Sequence, residues 1–127
     1  MSLKKIVAIP LFRESKILGN VKVCELPEEL TVLNRLGFRN PVYEQKPPKH
    51  LIVDFSACRH VDTSALGALV AVNKYLRDRG CRMVLVGMVH EEVVDNFHLC
   101  KLETLFDIAI SEAEAYELLA PRRLARV

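Results

Sequence analysis

Two continuous apolar runs separated by a helical segment constrain the fold of this chain more than any other feature. Residues 51–55 (LIVDF) and 82–87 (RMVLVG) have the length and composition of buried strands. Between them, the apolar residues of segment 64–79 recur at helical spacing and so form one face of a helix. Gly80 follows as a stop signal. The predicted inner face consists of Leu66, Leu69, Val70, Asn73 and Leu76. A strand, a crossover helix and a second strand predict neighbouring strands of a parallel sheet.

The same alternation continues toward the C-terminus. Residues 91–99 predict another helix, and residues 106–110 predict a last strand. The predicted apolar anchors around that helix are Val94, Phe97 and Leu102. Ser111 and Glu114 have the spacing of a capping box, which predicts a final helix through Leu119.

The N-terminal third predicts a hairpin, a short helix and a linker. Short β-like runs at residues 5–9 and 21–26 flank a turn signal at residues 18–20. Residues 27–36 predict a helix, because a proline opens the segment and a glycine follows it. Residues 40–49 predict a linker, because they contain two adjacent prolines.

Together these elements predict an α/β fold. The expectation is a single compact domain over residues 1–127, with a mixed, mostly parallel sheet of about four to five strands and helices packed on it. The best-supported part is residues 51–119. The basic tail at residues 121–127 is expected to fray.

Composition argues against several function classes. The net charge of +2 does not favour a nucleic-acid partner. No apolar run approaches the ~20 residues of a membrane helix, and the start of the chain does not resemble a signal peptide, so we expect a cytoplasmic protein without direct membrane insertion. The cysteines are Cys24, Cys58, Cys81 and Cys100. They form no C-x-x-C pair, which predicts reduced thiols, no metal site and no cofactor.

The chemistry of the chain concentrates at residues 62–64 (DTS), where the strand 51–55 and its loop meet the helix 64–79. A hydroxyl at that join meets the positive end of the helix dipole and unpaired backbone N–H groups. The pattern is typical of a phosphate or phosphorylation site. It is also typical of a plain N-cap, and the residues alone leave both open.

The residues around this join resemble the STAS domain family, which includes bacterial anti-sigma-factor antagonists and the cytoplasmic tails of sulfate transporters. The matching stretches are residues 51–56, 61–67, 79–87 and 102–107. The resemblance covers residues 51–119 and is faint before them. It implies a non-catalytic binding module, with no catalytic residues, rather than an enzyme.

In the antagonist branch, the resemblance implies phosphorylation of Ser64 by a serine kinase, with Thr63 as the second choice. The unphosphorylated protein would bind an anti-sigma factor, or another cytoplasmic regulatory protein, and free the sigma factor; homodimer formation stays open. The residues expected to contact the partner are Arg59, His60, Asp62, Thr63, Ser64, Ala65 and Gly67.

One stretch departs from the family pattern. Family members carry Gly-x-Leu-Asp after the second strand, with the aspartate near the phosphorylated serine, whereas this chain has residues 28–31 (EELT), so Thr31 replaces the aspartate. The alternative function is therefore a non-catalytic STAS subunit of a transporter or signalling scaffold that works without phosphorylation.

Each singled-out residue also has a purely structural interpretation. Asp62 or Ser64 would cap the helix, and Asp54 would be a satisfied carboxylate at a strand end. Gly67 would allow close internal packing, and residues 59–60 would be solvated loop positions.

Overall fold

The computed structural model describes residues 7–120. The start of the predicted strand 5–9 and the predicted basic tail at 121–127 lie outside the described residues. The elements are β1 (Leu11–Glu14), β2 (Val21–Glu25), β3 (Glu29–Leu30), α1 (Arg35–Glu44), β4 (His50–Asp54), β5 (His60–Val61), α2 (Thr63–Arg77), β6 (Met83–Val86), α3 (Glu91–Leu99), β7 (Asp107–Ala109) and α4 (Glu112–Leu119).

The main sheet has five strands in the order β1-β2-β4-β6-β7. β1 and β2 form an antiparallel hairpin, and the other neighbours are parallel and joined by the crossover helices α1, α2 and α3. A second sheet contains only the short parallel pair β3 and β5. The predicted single α/β domain with a mostly parallel sheet is confirmed.

Different helices pack on the two faces of the main sheet. Cys24, Val53 and Leu85 point to the side on which α1, α2 and α3 form the larger core cluster. Val23 and Ile52, which alternate with them along β2 and β4, point to α4. All three crossover helices thus lie on one face, and the last helix covers the other.

From residue 50 onward, β4, α2, β6, α3, β7 and α4 match their predictions within about two residues. The short strand β5 corrects the prediction of a loop at that place, because His60 and Val61 pair with β3. Gly80 follows α2 with a positive φ of 74°, as a stop residue should. The Ser111 hydroxyl accepts a hydrogen bond from the Glu114 amide at 3.2 Å, which confirms Ser111 as the N-cap of α4. Within residues 7–120 the Glu114 side chain makes no return bond to the Ser111 amide, so only this half of the capping box is present. Val94 was a wrong anchor: it is 42% exposed, whereas the neighbouring Val93 is buried.

The predicted helix at residues 27–36 is wrong, and the predicted linker at residues 40–49 is correct only for residues 45–49. The helix is Arg35–Glu44 and continues through a glycine and Pro41. Its buried residues Phe38 and Val42 are one turn apart and join the core beneath α2, so tertiary burial outweighs the local breaking signals. Residues 29–30 are instead extended, because they pair with β5.

The first strand was also misplaced. Residues 7–9 are not in a strand, and the hairpin partner of β2 is Leu11–Glu14, whose register pairs Leu11 with Glu25 and Glu14 with Lys22. The predicted turn at residues 18–20 does connect the two strands: the Val21 amide donates to the Leu18 carbonyl at 3.2 Å.

Candidate functional site

Asp62 joins two parts of the chain at the start of α2. It is the N-cap of the helix, with extended backbone, and its Oδ1 accepts the Ala65 amide at 2.8 Å. Its Oδ2 accepts the Val32 amide at 3.0 Å, from a loop thirty residues earlier in the chain. The structural interpretation of Asp62 as a cap is correct, and the side chain also fixes a neighbouring loop.

Thr63 and Ser64 are exposed in the first turn of α2. Within residues 7–120, neither the Ser64 hydroxyl nor the amides of these two residues have a hydrogen-bond partner. The alternative that Ser64 caps the helix is wrong, because Asp62 holds that position. An unbonded hydroxyl therefore lies at the positive end of a fifteen-residue helix.

The loop at residues 31–34 is fixed beside this helix start. The Asp62 amide donates to the Leu30 carbonyl at 3.2 Å. The buried Asn34 accepts the Thr31 amide through Oδ1, and its Nδ2 donates to the carbonyls of Ala8 and Glu29, each at 2.8 Å. The residue that replaces the family aspartate thus sits in a loop bonded to the N-cap of α2.

This loop exposes an apolar pair. Val32 is 55% exposed and Leu33 is 69% exposed, next to the Asp62 carboxylate. We call residues 62–64 together with Val32 and Leu33 the α2-start surface. The local pattern predicts a helix over both residues and therefore gives no sign of this exposed pair. Its position beside α2 depends on the non-local bond from the Val32 amide to Asp62.

The four remaining residues that were predicted to contact a partner differ in their exposure. Arg59 is exposed, whereas His60 is tied to α3 by a 2.5 Å contact between its Nδ1 and Glu92 Oε1. Gly67 is exposed with open space around its Cβ direction, so the predicted internal packing at Gly67 is wrong. Ala65 is fully buried, so its prediction as a partner-contact residue is wrong. A methyl group inside the core cannot touch a partner.

One oxygen of the Asp54 carboxylate is hydrogen-bonded at the end of its strand, which agrees in part with its structural interpretation. Its Oδ1 accepts both the amide (2.9 Å) and the hydroxyl (2.5 Å) of Ser56. Gly87, with a φ of 70°, packs so closely on this pair that an added Cβ would lie 2.7 Å from the Asp54 oxygen.

All four cysteines are free thiols, and burial raises the pKa of Cys58 to about 11, which leaves it protonated at neutral pH. No group of three or more metal-ligating side chains converges within residues 7–120. In the same range, no helix is long and apolar enough to cross a membrane.

Comparison with known proteins identifies what the chain resembles. The family model of the STAS domain matches residues 13–115, which is most of the chain. No curated protein sequence matches significantly.

Solved structures agree with that match. A Thermotoga maritima protein assigned as an anti-sigma factor antagonist is 24% identical with a TM-score of 0.75, over 84% of this chain and 92% of that one. The phosphorylated form of the Bacillus cell fate determinant SpoIIAA is 19% identical with a TM-score of 0.64, over 85% and 98%. The murine Solute Carrier 26 family member A9 anion transporter is 20% identical with a TM-score of 0.64, over 79% of this chain and 18% of the transporter. At these identities the likeness shows a common fold.

Proposed function

The chain belongs to the STAS domain family, and from that premise we propose that it is a regulatory, non-catalytic module that binds a partner protein through the α2-start surface. Phosphorylation of Ser64 switches the binding off. The partner we propose is an anti-sigma factor, a serine kinase or another regulatory protein of the cytoplasm.

The observation that carries this proposal is the Ser64 hydroxyl. It is exposed, has no hydrogen-bond partner within the described residues, and lies in the first turn of α2. A kinase can reach such a hydroxyl without unfolding the helix. The fold likeness to a determinant whose phosphorylated form has been solved supports the same assignment.

The physical basis of the switch is the neighbourhood of that hydroxyl. A phosphate adds about −1.5 to −2 charges at neutral pH. The Asp62 carboxylate is two residues away, and Val32 and Leu33 present apolar surface alongside it. A partner that packs on the apolar pair would have to desolvate the phosphate, and burying an unpaired charge is costly.

A second candidate function is a permanent docking subunit of a transporter or scaffold. Two observations favour it: the fold likeness to an anion transporter, and Thr31 in the place of the family aspartate. In that case the α2-start surface would bind a partner regardless of any charge at Ser64.

A capture experiment separates the two functions. Tagged wild-type protein and the variants Ser64→Ala, Ser64→Asp and Thr63→Asp are used to pull partners from a lysate of the native cells. We expect wild type and Ser64→Ala to retain a partner that Ser64→Asp loses. Loss only with Thr63→Asp would move the modification to Thr63, and equal retention by all variants would favour the docking subunit.

A further inference from the structure

A groove of about 460 Å³ opens at the carboxyl ends of β2 and β4. Ile9, Leu11 and Pro27 form its apolar walls, and Glu25 and Asp54 are its acidic groups. We call it the carboxylate groove. Its volume falls within the range of ligand-binding clefts.

The two carboxylates are neighbours across the sheet. Glu25 is in register with Asp54, and their predecessors Cys24 and Val53 point into the opposite core, so both acidic side chains project to the groove side. Strands are about 5 Å apart, and like charges at that separation repel each other. Burial, followed by the negative charges of Glu25 and Asp54, raises the pKa of the Cys24 thiol.

Within residues 7–120 this pair is neutralised incompletely. Arg13 pairs with Glu25 at a distance of 4.0 Å from its Nε, while its Nη2 is committed to Glu112 at 2.6 Å. Asp54 uses only Oδ1, for Ser56, and within residues 7–120 its Oδ2 has no partner. Because the Ser56 amide fixes the Asp54 carboxylate, the free oxygen is already oriented.

A bare cation would complement the carboxylates of the groove but not its apolar walls. Ile9 is 63% exposed and Leu11 is 60% exposed, so the groove combines negative charge with uncovered apolar surface. An arginine side chain on an apolar segment complements both features, because its planar guanidinium can meet two carboxylates and is weakly hydrated.

We propose that the carboxylate groove docks a partner polypeptide, which inserts an arginine between Glu25 and Asp54 and packs apolar neighbours on Ile9 and Leu11. This surface is distinct from the α2-start surface, and it does not depend on Ser64. The two are adjacent, since Ala8 lines the groove and also accepts a hydrogen bond from Asn34, which fixes the 31–34 loop.

Binding of a defined peptide tests the proposal. The probe is a capped pentapeptide with a central arginine between leucines, added to the full-length ¹⁵N-labelled chain. We expect saturable shifts of the Ser56 and Ala57 amide resonances. We expect affinity to fall about tenfold when citrulline, which is neutral and of the same shape, replaces the arginine.

Variants assign the effect to the groove. Glu25→Gln should weaken the peptide about tenfold, because it removes one of the two carboxylates. Glu117→Gln removes an exposed carboxylate from the far part of α4 and should bind as wild type does. Leu11→Ser probes the apolar wall independently of charge and should also weaken binding.

Three results would overturn the assignment. The citrulline peptide could bind as tightly as the arginine peptide, or Glu25→Gln could bind as wild type. Agmatine has the guanidinium without the flanking leucines. If it bound as tightly as the peptide, the occupant would be a small guanidinium compound and not a polypeptide. The peptide should bind the Ser64→Asp variant as tightly as wild type. This control separates a failure of the groove proposal from a failure of the proposed phosphorylation switch.

Discussion

Replacing Asp62 with alanine should cost more stability than the loss of an ordinary helix cap. The change removes the cap bond to the Ala65 amide, worth about 1 kcal/mol, and the bond to the Val32 amide. A hydrogen bond to a charged acceptor contributes about 1.5 kcal/mol at the low end of its range. We therefore expect a combined loss of about 2.5 kcal/mol in the free energy of unfolding.

The chain offers a matched control at the other capped helix. Ser111 caps α4 through one bond, to the Glu114 amide at 3.2 Å. The variant Ser111→Ala therefore measures the free energy of a cap that has no second bond to a distant loop. Urea denaturation followed by circular dichroism gives both free energies. Asp62→Ala should exceed Ser111→Ala by about 1.5 kcal/mol, and amide exchange at Val32 should accelerate in Asp62→Ala alone.

Equal costs for the two variants, with Val32 exchange unchanged, would refute the reasoning. Asp62 would then act only as a cap, and the 31–34 loop would be held beside α2 by Asn34 and β3 without it. The structure would then show no contact that ties the apolar pair to the proposed phosphorylation site.

Two further predictions concern other parts of the fold. Gly87→Ala should lower the free energy of unfolding by about 2 kcal/mol or more, because a Cβ at positive φ is strained and meets the Asp54–Ser56 pair; a melting temperature equal to that of wild type would contradict it. Burial, then the charge of Arg82, lowers the pKa of His50, whose Nδ1 accepts the Arg82 amide. A depressed histidine pKa means that the unfolded chain binds more protons, so this contribution is complete above the unfolded pKa of 6.5 and is lost as pH falls below it. His50→Asn should flatten that part of the stability profile, and an identical profile would contradict the assignment.

The sequence predicts the fold best where burial and local pattern agree. The apolar centre of β4 and all of β6 are buried because both faces of the sheet are covered there, and this leaves little ambiguity. In α1 the two disagree. Pro41 inside the helix signals a break, and only the core around Phe38 and Val42 explains why the helix persists.

The site was predicted in part for the same reason. The N-cap at Asp62 and the helix start at Thr63 are local features, so the segment itself specifies them. The apolar pair Val32 and Leu33 lies there through a contact across thirty residues, and the pairing of Glu25 with Asp54 depends on strand register. Such non-local contacts have no signature in either segment alone.

The most direct test of the proposed function is the affinity of the captured partner for protein that carries phosphoserine at position 64. Calorimetric titrations compare this form with the unmodified chain and with Ser64→Ala, at equal ionic strength. The proposal predicts that the unmodified chain and Ser64→Ala bind alike, and that the phosphorylated form binds at least about tenfold more weakly. Equal affinity of all three forms would contradict a switch at Ser64.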